Sequence, residues 1–237
     1  MRGPSVRGVT LQFALLLLLS SPAIAQTYPP AFPRDGAKKV AEDDHFVIWD
    51  VTWEKGKPTG MHELPLDQVS VNITVDGLSA IRITRPGGAW SIEQEKCGSV
   101  RFESKGTVEQ EEGASDRPSR AFVFQLKDVA PPHWPIKEGV PGQFPRVGAV
   151  KLFETDRVIV WDDTWLPGMQ KPLHTHYTQG AVTYYQPGVI HSTTDGVVGP
   201  PFPVVVGVAR LVGVHTHSEE QLEGTPRAIW VEFKYDY

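Results

Sequence analysis

The sequence predicts an all-β protein built from two tandem copies of one domain. Three observations predict it. A self-match recurs at a fixed spacing, the apolar residues fall in short runs of period two, and Gly, Pro and Asp interrupt those runs every few residues. DHFVIWDVTWEKGKPTGMH (44–62) aligns without a gap to DRVIVWDDTWLPGMQKPLH (156–174) at an offset of 112, with seven of 19 positions identical. The match resumes at the far end of each copy, where PSRAFVFQLK (118–127) pairs with TPRAIWVEFK (225–234). Ahead of these stand QEEG and SEEQ. Matches at both ends describe a duplicated unit of roughly 85–90 residues.

The chain opens with Arg2 and Arg7, the apolar run LQFALLLLL and the small-residue segment SSPAIAQ. Residues 1–25 therefore read as a secretory signal peptide, and a secreted or periplasmic protein is expected. The apolar run is shorter than the ~20 residues a bilayer span needs, so no stable membrane insertion is expected after cleavage. The remaining 212 residues carry 21 basic and 28 acidic side chains with no basic stripe. Nucleic acid is thus not expected as a partner. Cys97 is the only cysteine, which excludes an internal disulfide and leaves stability to a packed core. It reads as a small buried hydrophobe.

Residues 26–40 read as an N-terminal arm, and 41–128 as the first domain. A linker at 129–150 contains APPHWPIKEGVPGQFPRVG, and 151–237 form the second domain. FVIWDVTW and VIVWDDTW are β-branched and aromatic runs. QVSVNITVDG (68–77) alternates, with Val69, Val71, Ile73 and Val75 on one face. Asn72-Ile73-Thr74 is a glycosylation sequon inside that strand. The recurring pairs Trp49/Trp53 and Trp161/Trp165 read as core packing. AFVFQLK and AIWVEFK complete the copies. Short strands with many turns imply a sandwich or barrel.

The chemistry concentrates in the second copy. His174 and His176 are two residues apart, so on a strand they point to one face; His215 and His217 form a second such pair. If the two strands lie side by side, up to four imidazoles converge. Imidazole suits zinc, iron, copper and nickel, and three ligands with an open position is the plan of a catalytic site. His45 and His133 read as satisfied polar or surface groups, and His191 as a strand or turn residue. Glu219 and Glu220 have counterparts in Glu111 and Glu112, which argues for a structural role.

With these residues in place, the chain resembles a bicupin, a two-domain member of the cupin superfamily with its jelly-roll barrels. Gly168, five residues, His174-Thr-His176 matches the front of the family's first motif. Gly98, five residues, Ser104-Lys-Gly106, two residues, Glu109 matches the spacing of its second, and His217 stands where Glu109 does. The resemblance implies that His174, His176 and His217 ligate a divalent transition metal (Fe, Mn, Zn, Cu or Ni). Gly213 stands too close to His217 for the family's motif, so His215 or His217 is the third ligand. Gln179, nine residues before Gly188, matches Gln68, nine before Gly77, at the place of the family's Glu ligand. In the first copy Leu64 replaces the second His and Glu109 the third, which makes it a degenerate scaffold; His62, Gln68 and Glu109 are the weak site it could still offer. The resemblance further implies a small-molecule ligand or substrate and pairing into a homodimer. It leaves two readings open: a metal-dependent oxygenase, lyase or isomerase acting on a small organic acid, or a non-catalytic binding protein.

Overall fold

The computed structural model describes residues 27–130 and 138–234, so residues 1–25, read above as a signal peptide, and His133 lie outside the described residues. Every element among the described residues is a strand. The first copy supplies β1 (Ala37–Glu42), β2 (Phe46–Trp53), β3 (His62–Glu63), β4 (Asp67–Asn72) and β5 (Ser79–Thr84). It continues with β6 (Ser91–Glu95), β7 (Val100–Glu103), β8 (Val108–Gly113) and β9 (Ser119–Leu126). The second copy repeats the path with β10 (Ala149–Glu154), β11 (Val158–Thr164), β12 (Lys171–His176) and β13 (Gly180–Thr194). It ends with β14 (Val197–Val198), β15 (Phe202–Val204), β16 (Ala209–Val212) and β17 (His215–Phe233). Here β13 runs through the places of β4 and β5, and β17 through those of β8 and β9.

The first barrel has two antiparallel sheets, ordered β1-β2-β9-β4-β7 and β3-β8-β5-β6. In the second, the long strands β13 and β17 pass from one sheet to the other and join them. Long apolar runs such as FVIWDVTW arise because both faces of these strands are buried, and alternation decides which way each residue goes. Val47, Trp49, Val51 and Trp53 enter the first barrel with Ala121, Val123, Ile81 and Ile83. Phe46 and Ile48, on the opposite face, join Val69, Val71, Phe122, Phe124 and Leu126. That cluster also contains Val158, Val160, Ala181, Ile229, Val231 and Phe233 of the second copy. The two barrels thus share one apolar seam, and the valine face of QVSVNITVDG packs there rather than inside its own barrel. Trp161, Trp165, Val182, Tyr184 and Trp230 fill the second barrel.

The proline-rich segments are more than connectors. Ala31 donates its N–H to the Glu63 carbonyl and Pro29 accepts from the Glu63 N–H along the edge of β3, and Gln143 and Pro141 do the same with Thr175 of β12. Phe32 stacks on Trp49 with ring centroids 4.8 Å apart, and Phe144 stacks on Trp161 at 4.8 Å. Each barrel therefore begins at a Phe-Pro-Arg tripeptide, 32–34 and 144–146, ahead of the Trp-containing match.

Three single residues find their places. Cys97 is half-buried, with Sγ 3.6 Å from the Tyr185 carbonyl across the seam, and burial raises its thiol pKa. His45 is buried and meets Phe233 edge-on, so it belongs to the seam rather than the surface. Asn72 is 2% exposed and its Nδ2 donates to Ser79, Glu95 and Ser119, which leaves no room for a glycan on the folded chain.

A shared seam makes the barrels one folding unit. Phe124→Ala removes a fully buried ring from it and should cost about 3–5 kcal/mol. Urea unfolding followed by tryptophan fluorescence is expected to keep a single transition at a lower midpoint. Separation into two transitions in the wild type would contradict the seam's role.

Candidate metal centre

The second barrel's site is set by one antiparallel ladder. β12 pairs with β17 so that His174 stands opposite His217, Thr175 opposite Thr216, and His176 opposite His215. Alternation sends the imidazoles to one side, while the two threonine hydroxyls meet on the other at 2.8 Å. Ring centroids lie 4.6 Å apart for His174 and His217, 5.0 Å for His176 and His217, and 4.4 Å for His176 and His215. Ligand nitrogens of His174, His176 and His217 all fall within 4.8 Å of one another. The structure thus brings three of the expected histidines into one group, with His215 stacked on its edge against His176.

The backbone chooses the tautomers. His174 Nδ1 lies 2.8 Å from the Pro172 carbonyl and His215 Nδ1 lies 2.7 Å from that of Gly213. Each Nδ1 therefore carries its proton and donates it, which turns the Nε2 lone pair toward the interior. Burial, with Arg146 adding to it, lowers His174 to about 4; burial lowers His217 to about 4 and His176 well below its ordinary value. All three are neutral at pH 7, the state in which imidazole binds a metal. His176 Nε2 and His217 Nε2 are 3.0 Å apart. Two nitrogens ~2.1 Å from one ion and at right angles would be ~3.0 Å apart, so the pair fits a shared ion.

Arg146, from the Phe-Pro-Arg tripeptide, was not among the residues expected from the sequence. Its Nη1 is 3.1 Å from His174 Nε2, and its Nη2 is 2.5 Å from Asp163 and 3.7 Å from Glu219. Lys171 shares Asp163 at 2.5 Å and lies 3.5 Å over the Trp165 ring. Burial lowers Lys171 to about 8 against the pull of Asp163. Burial would raise Glu219, but Arg146 and Lys171 outweigh it and hold the carboxyl below its ordinary range. The first copy repeats the motif, since Arg34 bonds Glu111 at 2.7 Å and lies over Phe32 and Trp53. The signal was present in the sequence as Phe-Pro-Arg-x-Gly-Ala, repeated at the same offset of 112.

Gln179 requires a correction of register. Gln68 stands opposite Gln125 in the first barrel, and the residue opposite the corresponding Glu232 is Gly180. Gly180, not Gln179, is thus the counterpart of Gln68, and it brings no side-chain donor. Gln179 precedes β13, and its buried Oε1 has no hydrogen-bond partner. His191 sits apart from the cluster, 3.2 Å from Glu220. A cavity of about 450 Å³ opens over the cluster, lined by His176, His215, His217, Arg210, Phe202 and Trp230 among others.

The first barrel has a carboxylate, Glu109, where the second has the His217 imidazole. His62 stands opposite Glu109, and His62, Glu109 and Glu111 bring ligand atoms within 4.8 Å. Glu111 is fully engaged: Arg34 and Trp53 bond one oxygen and Arg101 the other. Gln68 donates to Glu103 at 2.8 Å. Glu109 has no exposure, and burial together with Glu103 and Glu111 pushes its carboxyl up to about 9. A neutral acid and an occupied carboxylate make a poor cation site.

No family model matches the sequence, and none of the curated proteins does. Solved structures do match. A cupin 2 conserved barrel domain protein from Leptotrichia buccalis is 14% identical, with a TM-score of 0.55 over 84% of this chain and 88% of that one. Bacillus subtilis oxalate decarboxylase, described with Mn(II) centres, is 15% identical, with a TM-score of 0.52 over 81% and 70%. Salicylate 1,2-dioxygenase from Pseudaminobacter salicylatoxidans is 9% identical, with a TM-score of 0.56 over 82% and 75%. At these identities the likeness is one of fold.

The buried acid of the first barrel gives a pH test. Because Glu109 holds its proton more tightly in the folded chain, its contribution is full below the ordinary value of 4.5 and is lost as pH rises toward about 9. Glu109→Gln keeps the shape and cannot ionise. Its unfolding free energy, measured by urea denaturation, should gain on the wild type from pH 5 to pH 9, by up to about 1.4 kcal/mol per pH unit. A pH-independent difference would assign Glu109 an ordinary pKa.

Proposed function

Because the chain carries the cupin fold twice, we propose that its second barrel binds a divalent transition metal through His174, His176 and His217 and takes a small organic acid beside it. The observation that carries this is the convergence of three neutral imidazoles, two of them, His176 and His217, with Nε2 atoms 3.0 Å apart and lining an open cavity. His215 stands ready as a fourth ligand. A bound ion would supply Lewis acidity or, as iron or copper, redox chemistry.

The chain's own residues do the rest. The Pro172 and Gly213 carbonyls fix the tautomers of His174 and His215. Asp163 and Glu219 offset the charge of Arg146 next to His174. The acid is supported by the neutrality of the ligand set, which leaves an ion's charge uncompensated. Two structures of this fold, an oxalate decarboxylase and a salicylate dioxygenase, are named for small carboxylates. One observation favours binding without turnover: Glu219 is the only carboxylate lining the cavity, and its lowered pKa makes it a weak base. Metal-dependent conversion of any one acid in an oxygenase and lyase panel decides between the two.

Protein isolated from its own compartment is expected to hold about one transition metal per chain by elemental analysis. His174→Ala with His176→Ala should abolish it, and His217→Ala should lower affinity more than His215→Ala does. Metal content unchanged in the double variant would remove the site.

A further inference from the structure

The two barrels correspond position by position, and the first shows what the second lacks. Arg101 of β7 stands opposite Ser70, and Arg210 of β16 stands opposite Val182. Ser70 and Val182 are themselves opposite Val123 and Trp230, which the repeat aligns. Arg101 and Arg210 are therefore the same residue in two copies.

Their surroundings differ. Arg101 pairs with Glu93 at 3.3 Å, Glu103 at 3.4 Å and Glu111 at 3.1 Å. Glu93 stands opposite Ile81 as Phe202 stands opposite Ile190, and Glu103 opposite Gln68 as Val212 opposite Gly180. Glu111 corresponds to Glu219, which is beside Arg146. Two carboxylates have thus become apolar and the third has another partner, yet the arginine remains. Arg210 donates to the Tyr184 hydroxyl at 2.5 Å and lies 4.7 Å over the Phe202 ring. Its Nε is buried without a partner, and no carboxylate among the described residues pairs with it. Arg210 is half-buried, and a guanidinium partly withdrawn from water with no counter-ion carries a desolvation cost; it lines the cavity beside His176, His215 and His217.

We infer that Arg210 receives the carboxylate of the small acid, in the place that Glu103 occupies in the first barrel. The other walls set the ligand's body. Ile190, Phe202, Val212 and Trp230 are apolar, and Ser192 offers a hydroxyl. The class is a monocarboxylic acid with a compact apolar body, its carboxylate on the arginine. This deepens, and rests on, the reading of the second barrel as a metal-and-acid site. The first barrel is closed to the same ligand because its own glutamates fill the arginine.

Calorimetry of the full chain as isolated, with benzoate and with uncharged benzamide as probes, tests it. Metal content is measured on the same samples. Benzoate is expected to bind the wild type, and benzamide, Arg210→Met and Val212→Glu each to weaken binding at least ~30-fold. Val212→Glu supplies the carboxylate that Glu103 supplies in the first barrel, so it blocks the site with the arginine in place. Benzoate affinity in both variants within about threefold of wild type overturns the assignment. So does metal-loaded wild type that binds no benzoate, a result that leaves the metal reading standing. Wild type that lacks metal but binds benzoate through Arg210 sinks the metal reading and keeps this one.

Discussion

The pairing of β12 with β17 is the constraint on which the site depends. Period-two alternation turns two His-x-His stretches into four imidazoles on one side, and a slip of β12 by one residue would send His174 and His176 to the side away from His215 and His217. Several contacts hold the register. Thr175 and Thr216 bond across the ladder on the face away from the imidazoles, and Thr175 also exchanges backbone bonds with Pro141 and Gln143 on the strand's free edge. β12 is thus held on both edges, which suits a strand that aims two side chains.

Behind the site, the seam between the barrels gives the first barrel a structural role in the second. Val158, Val160, Ile229 and Val231 present a face that would be exposed if the first barrel were absent. The same strands carry Trp161 and Trp230 on their inner face. Removing the first barrel would therefore uncover the outer wall of the second, including the far end of β17, the strand that begins at His215 and His217.

The strands, the duplication and both histidine pairs were legible in the sequence because each is local: a run, an offset, a spacing of two. The seam was not, since FVIWDVTW does not say which of its two apolar faces meets a second barrel. Arg146 was hidden for a different reason. Its partners lie 17, 28 and 73 residues away, and its segment's prolines read as a connector. Gln179 was misplaced because spacing to a downstream glycine cannot detect the one-residue shift at the start of β13. Leu64, Gly180 and Glu109, by contrast, show that each barrel keeps the geometry of the motif while changing what fills it.

That exchange of contents has an electrostatic logic. In the first barrel Arg34 and Arg101 face Glu93, Glu103 and Glu111, with Glu109 held neutral, so cations and anions answer one another without any guest. Around the imidazoles and cavity of the second, Arg146, Lys171 and Arg210 face Asp163 and Glu219. The imidazoles that replace Leu64 and Glu109 bring no charge. A dication placed there adds to a surplus that is already positive, and at these depths the surplus is poorly screened. On the proposed reading, a metal alone would be disfavoured by these surroundings and an anion alone would have Arg210 without a second anchor. Each would then make the other's binding more favourable in the second barrel, while the first has its own glutamates in place of such a guest.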